Sequence, residues 1–298
     1  MKSTHRSLNI SIVGAGRVGT TLACMLFRAR QKIVAVVSRN KLSAKTCSKI
    51  VSCKNCSEDF SIIPASSDLI IIAVPDPSIR TVAESIASVP NLPFNRMFVC
   101  HTSGALTSDE LGPLALKGAR VFSLHPIQTF PKQKSLTDQI ESMKGITFGF
   151  EGPTNARTMA RTLIRQLGGN ILVVPKEAKI LYHLACVIAS NYSVTLVGAL
   201  EPLVARFTQK KLAPFAKLLR TSLDNALEFG AADALTGPIV RGDGDTISRH
   251  LAAIQDPHLR TLYESLGAYA LKMASDAGRL APDQVSKLQE LLNDGGKK

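Results

Sequence analysis

The 298-residue chain is predicted to be an α/β protein: a mostly parallel N-terminal sheet with helices on both faces, followed by an all-α domain. Three observations predict this. An apolar run at residues 9–13 leads straight into the glycine pattern Gly14-Ala-Gly-Arg-Val-Gly19 and then a helical pattern. Apolar runs and helical patterns alternate as far as residue 174, as they do where each parallel strand is followed by a crossover helix. From Lys176 onward the pattern is helix after helix, with no convincing strand. Pro175 punctuates the change, so the domains are expected at 1–175 and 176–298.

Each glycine of the pattern has a physical reason. Gly14 allows a tight turn, Gly16 lets backbone approach a pyrophosphate, and Gly19 lets the helix lie close to the strand. The first helical turn, with Arg17, Val18 and Gly19, offers unsatisfied N–H groups and the positive end of the helix dipole to phosphates. A dinucleotide site is therefore expected here. The helix should run to about residue 30, and an apolar strand follows at 32–38. An NAD-preferring site usually carries Asp or Glu about twenty residues beyond the glycines. This chain reads Ser38-Arg39-Asn40-Lys41 instead. Ser38 can hydrogen-bond a 2'-phosphate and Arg39 can pair with it, so the expected cofactor is NADP (NADPH). A solvated turn is the alternative for these residues.

Residues 68–75 form the most apolar run of this half, stopped by Pro75-Asp76-Pro77-Ser78 before a helical pattern on Ile79, Val82, Ala83 and Ile86. Ligands of an open parallel sheet collect outside the carboxyl ends of its strands. Val74, Pro75 and Asp76 are therefore expected at the cofactor, with a helix N-cap as the alternative for Asp76 or Ser78. Two further strands, 97–101 and 119–125, end in His101 and His125. The same rule brings His101, Ser103, Gly104, His125 and Gln128 to the substrate position. For each histidine the alternative is a structural bond to a loop carbonyl. His101, His125 and His183 have no spacing that demands zinc, and no metal site is expected. A strand at 145–150, a helix at 154–167 and a strand at 170–174 should extend the sheet.

In the second half, a helix over about 176–206 contains Lys179, Tyr182, His183, Ser190 and Asn191 inside an apolar run. At about 100° per residue, His183 falls roughly 40° and Ser190 roughly 20° from Lys179, with Asn191 about 120° away. Burial of such a polar stripe is costly unless it is paired or faces a site. Lys179 and His183 are accordingly the candidate catalytic residues, and Asn191 a candidate substrate contact. The alternative is that Lys179 and His183 mark exposed first turns. A helix at 213–229 precedes a polar turn at 235–246, whose Arg241 either holds a substrate carboxylate or neutralises Asp243 or Asp245. Asp245 or Thr246 is expected to cap the next helix. Helices at about 258–277 and 282–293 finish the chain, and residues 295–298 should fray.

Composition narrows the partners. With 45% apolar and 20% charged residues the chain reads as globular. Residues 184–200 are the nearest approach to a membrane span, broken by Ser190, Asn191, Tyr192, Ser193 and Thr195, so no span is expected. No apolar leader precedes the first strand, and a cytoplasmic location is expected. Cys24, Cys100 and Cys186 lie in apolar runs as small hydrophobes, while Cys47, Cys53 and Cys56 are expected as free surface thiols rather than zinc ligands. The net charge of +13 is concentrated: residues 1–57 hold eleven Lys or Arg and no Asp or Glu, while residues 151–298 hold eighteen basic and fourteen acidic residues. A basic face around a phosphate-rich cofactor accounts for that, and nucleic-acid binding is not expected.

Several motifs together resemble a known family: two-domain proteins with a Rossmann-like N-terminal half and a helical C-terminal half classed as a domain of unknown function. The matching pieces are Gly14-Ala-Gly-Arg-Val-Gly19, Ala73-Val-Pro-Asp76, His101-Thr-Ser-Gly-Ala105, Ser123-Leu-His-Pro126, Lys179-Ile-Leu-Tyr-His183 with Ser190-Asn191, and Thr236-Gly-Pro-Ile-Val-Arg-Gly-Asp243. More distantly, the layout looks like β-hydroxyacid dehydrogenases, pyrroline-carboxylate reductase and ketopantoate reductase. The resemblance implies an NADP-binding domain, a helical domain that often forms a homodimer, and a helix lysine with proton work at Lys179. Where the hydroxyacid dehydrogenases carry Asn four residues on, this chain has His183, as a donor in its place or as the acid itself. The expected function is NADPH-dependent reduction of a small carbonyl or imine substrate in a cleft between the domains. The alternative is an NADP-holding sensor or scaffold without turnover.

Overall fold

In the computed structural model, which describes residues 7–293, one eight-stranded sheet organises the first part of the chain. Its strands are β1 (Asn9–Val13), β2 (Lys32–Val37), β3 (Cys56–Ser57), β4 (Leu69–Ile72), β5 (Phe98–His101), β6 (Arg120–Pro126), β7 (Thr147–Glu151) and β8 (Asn170–Val173). The spatial order is β3-β2-β1-β4-β5-β6-β7-β8. All neighbours are parallel except β6 and β7, which are antiparallel. Strand order reverses between β1 and β4, and a crevice opens at such a switch point.

The connections are α1 (Arg17–Arg28), α2 (Lys41–Ile50), α3 (Ile79–Ala87), α4 (Gly112–Leu116), α5 (Leu136–Ser142) and α6 (Thr154–Gln166). β4 explains why both sheet faces need helices. Its residues are all buried, with Leu69 and Ile71 in one apolar core and Ile70 and Ile72 in another. Alternate side chains point to opposite faces, so a strand buried on both reads as a continuous apolar run. Leu22 and Leu26 of α1 and Leu163 and Ile164 of α6 close the first core; Ile79 and Ile86 of α3 and Leu114 of α4 close the second. Each such Ile or Leu contributes roughly 1.5–3 kcal/mol when fully buried.

Beyond Pro175 the described residues are helical: α7 (Lys179–Val187), α8 (Ser193–Val204), α9 (Ala216–Phe229), α10 (Ala231–Ala234), α11 (Gly244–Ala253), α12 (Pro257–Asp276) and α13 (Pro282–Asn293). The chain forms two compact units, residues 1–192 and 193–298, so the division falls after Tyr192 rather than at the expected Pro175. The reason is tertiary: side chains of α7 bond to β6 of the first unit. In the second unit Ile247, Leu251, Leu271, Leu288 and Leu292 form a core of their own, joining α11, α12 and α13.

Three expectations need correction. A π-helical turn, Ile188–Tyr192, lies between α7 and α8. Such a turn holds more residues than an α turn, so the 100° phasing that aligned Ser190 with Lys179 fails there. The cap of α11 is Asp243, whose carboxylate accepts from Thr246 N at 3.0 Å and Thr246 Oγ1 at 2.7 Å, rather than Asp245 or Thr246. Cys47 is fully buried and Cys53 and Cys56 are half-buried, so these thiols do not form a free surface group. By length and composition alone the helical stretch Lys176–Val204 could cross a membrane, but Lys179 and Tyr182 at its start are bonded to β6, so the expectation of no span is not overturned. The fraying expected at 295–298 lies outside the described residues.

Candidate functional site

A cavity of about 830 Å³ opens at the switch point, floored by Gly14–Gly16 after β1 and walled by Ser38 and Arg39 after β2 and by Val74 and Pro75 after β4. The glycines divide the work. Gly14 sits at φ +99° with its N–H on the Val37 carbonyl at 2.8 Å, and an added Cβ would collide with the Ala73 backbone. A Cβ on Gly19 would run into the Gly14 carbonyl. At Gly16, by contrast, an added Cβ meets nothing within 4 Å. Gly16 is also the N-cap of α1, with no side-chain cap bond and no acidic residue in the first turn. The amides at Arg17, Val18 and Gly19 therefore face an opening suited to an anion.

The other walls include residues the sequence did not single out. Asn40 caps α2 by accepting from Ser43 N at 2.9 Å, which fixes the turn bearing Ser38 and Arg39. Glu58, just past β3, also lines the cavity and pairs with Lys41 at 3.1 Å. A carboxylate thus stands at the rim, brought there by an edge strand of only two residues.

A second set of polar groups gathers at the carboxyl ends of β4, β5 and β6. Lys179 is 1% exposed, and its Nζ donates to Ser123 Oγ at 2.8 Å. Ser123 Oγ in turn donates to the Ser103 carbonyl at 3.1 Å. Burial pushes the Lys179 amine down to about 8, opposed chiefly by the nearby Glu151 carboxylate, with a further contribution from Asp76. Glu151 is itself buried and accepts from Ser108 N at 2.6 Å and Ser108 Oγ at 3.0 Å. The antiparallel register places Glu151 opposite Ser123 and Gly149 opposite His125. His125 is half-buried, its Nδ1 2.6 Å from the Tyr182 hydroxyl, and its ring centroid 6.5 Å from that of His183. Burial, then the charge of Lys179, lowers its pKa to about 4, so it is neutral near pH 7.

Other expected residues are occupied elsewhere. The His101 ring is fully buried: Ser103 N donates to Nδ1 at 3.2 Å, which leaves Nε2–H to donate to the Thr107 carbonyl at 2.9 Å. No ring nitrogen remains for a substrate or a metal, and the ring serves to hold the 101–107 loop. Asp76 accepts from Ser103 Oγ at 2.7 Å and makes no cap bond; Ser78 makes none either and lines the cavity. Ser103 Oγ also accepts from Ala105 N and Leu106 N. Gln128 donates to the Ser142 carbonyl at 2.7 Å and accepts from Thr129 N at 2.8 Å. Asn191 lies exposed on the π turn. Arg241, in the second unit, is exposed and adds to the lowering of the Asp243 carboxyl that Thr246 begins. Gly104 packs beneath both imidazoles, where a Cβ would lie 2.8 Å from His183 Cδ2 and 2.9 Å from His125 Cε1. Glu151 enters the site unannounced, and Ser123 and Tyr182, named in the sequence only within their motifs, join it.

Fold and glycine cradle together define a Rossmann-like protein. Residues 2–126 match the Rossmann-like domain model and residues 146–270 the Domain of unknown function (DUF2520). The chain thus joins a Rossmann-like domain to DUF2520, as in the two-domain family it resembles. No curated protein matches it in sequence. Among solved structures it is similar to BF3122 of Bacteroides fragilis, described as a candidate NADP oxidoreductase, at 23% identity over 89% of this chain and 98% of that one, TM-score 0.73. It is similar to TM1727 of Thermotoga maritima at 24% identity over 90% and 99%, TM-score 0.69. The reductive aminase of Aspergillus terreus, in complex with NADPH and ethyl-5-oxohexanoate, follows the fold at 14% identity over 98% and 94%, TM-score 0.60.

Proposed function

We propose that the chain is an NADPH-dependent reductase of a small carbonyl or imine compound, reacting at the carboxyl ends of β4, β5 and β6. One observation carries the reading: a buried amine and two imidazoles, Lys179, His125 and His183, gather at strand ends of the sheet that also bears the uncapped start of α1. The open space at Gly16 and the uncapped amides fit a pyrophosphate. Ser38 and Arg39 would take the 2'-phosphate, with Glu58 partly neutralised by Lys41. A bound nicotinamide nucleotide supplies hydride to the substrate carbon. The chain's part is to orient the substrate and supply the proton that its oxygen or nitrogen gains. Lys179, at about 8, and His183 are the proposed donors. The NADPH held by the reductive aminase of similar fold supports the reading. The proposed partners are a small substrate and a second copy of the chain, in a cytoplasmic setting that suits six unpaired thiols.

The test pairs binding with turnover. NADPH should bind at least about tenfold more tightly than NADH, and Arg39→Ala should remove most of that preference, the loss of a charge-assisted bond being about 1.5 kcal/mol or more. NADPH oxidation across aldehydes, ketones, keto acids and imines should identify a substrate class. Turnover that survives replacement of both Lys179 and His183 would refute the assigned donors. A second reading, a nucleotide-holding sensor, is favoured by the burial of Lys179 and its bond to Ser123. It gains if NADPH binds and no member of the panel is reduced.

A further inference from the structure

Tyr182 belongs to no part of the chemistry above, yet its hydroxyl sits 2.6 Å from His125 Nδ1 with the two rings edge to face. A phenol parts with its proton more readily than a neutral imidazole N–H, which favours the arrangement in which Tyr182 donates and Nδ1 accepts. Burial raises the Tyr182 hydroxyl above its ordinary range and keeps it protonated. A neutral imidazole that accepts at Nδ1 carries its hydrogen on Nε2.

Two glycines make this arrangement possible. Gly149, opposite His125 across β6 and β7, lacks the Cβ that would collide with the Tyr182 hydroxyl. A Cβ on Gly104 would lie 3.0 Å from His125 Nε2 and 2.8 Å from His183 Cδ2. The Nε2 edge of His125 therefore lies directly against the bare Gly104, with the His183 ring beside it.

We propose that Tyr182 is a positioning residue that fixes His125 as the Nε2–H tautomer, so that one neutral N–H donor is presented beside Gly104 to the heteroatom of the substrate. Such a donor polarises a carbonyl or imine without itself losing a proton, and the net proton comes from the donors already assigned. The identity of the acceptor rests on the reductase reading. The tautomer does not, and it is measured without substrate.

The experiment is ¹⁵N spectroscopy of histidine-labelled full-length protein near neutral pH, with long-range couplings to the ring carbon-bound hydrogens. In the native chain His125 should give a protonated Nε2 and a bare Nδ1. In Tyr182→Phe, which keeps the ring over Gly149, His125 should become a mixture of tautomers. His101, held by Ser103 N and Thr107 O, should stay Nε2–H and reports that the fold is intact. Overturning results are an Nδ1–H or mixed His125 in the native chain, or an unchanged His125 in Tyr182→Phe. If the variant also disturbs His101, the native spectrum alone decides. Failure to find any reducible substrate would count against the reductase reading and leave this tautomer result standing.

Discussion

Lys179 holds an amine in a buried site, and the consequence can be measured through pH. Its pKa of about 8 in the folded chain lies below the ordinary value of 10.5, with burial as the leading cause. Between those values the unfolded chain binds more protons than the folded one, so this residue makes stability rise as pH rises through the window. The full span corresponds to about 3 kcal/mol. Lys179→Met abolishes the contribution, so the stability of the native chain relative to this variant should climb by up to about 3 kcal/mol between about pH 7 and pH 10.5. Urea midpoints of both proteins at those pH values check it, and a constant difference would contradict the burial of the amine. His101 marks the opposite case at this scale. A histidine at a strand end looks chemical in the sequence, but two backbone partners take both its nitrogens.

At the level of elements, the start of α1 separates glycines needed by the fold from one left free. Gly19→Ala should destabilise by about 1–3 kcal/mol, because the new methyl meets the Gly14 carbonyl and backbone must shift. Gly16→Ala should cost no more than about 1 kcal/mol, the loss of a tolerated N-cap residue, while weakening NADPH binding. Thermal melts with and without NADPH distinguish the two; a Gly16→Ala chain with unaltered affinity would argue against the phosphate cradle. This turn was legible because strand, glycines and helix are contiguous. β4 was legible for a similar reason, being apolar at every position. α2 was not, since it is short and buries only Ala44, Cys47 and Ser48. The pairing of Tyr182 with His125 and of Glu151 with Ser108 joins residues 57 and 43 apart in sequence, so no local pattern announces either. The π turn has no local signal in the sequence, so Asn191 was placed by a phase that the helix does not keep.

For the molecule as a whole, the unmatched feature is apolar surface on the helices. Ile180, Leu181, Leu184 and Ile188 are exposed in the first unit, and Val194, Phe207, Leu218, Leu223, Leu227 and Phe229 in the second, with Leu227 at 87%. α9 buries no residue at all in the single chain. Isolated exposed leucines are ordinary, but a succession on α7 in the first unit, and another on α9 in the second, each suit a contact with a partner. By length and composition alone the helical stretch Lys176–Val204 could also span a membrane, so lipid is the alternative occupant to test. The start of that stretch is held by polar bonds, Lys179 to Ser123 and Tyr182 to His125, which favours a partner that leaves the helix on its own sheet. A second copy supplies matching apolar surface, since a two-fold contact is self-complementary. The full-length chain should therefore sediment as a dimer. Leu181→Glu combined with Leu184→Glu places charges in that contact and should shift the chain toward monomer by at least about tenfold in Kd, a change of about 1.4 kcal/mol or more. Sedimentation velocity at several concentrations measures this, and flotation with vesicles runs beside it. A native chain that stays monomeric and floats with vesicles would assign the surface to lipid instead.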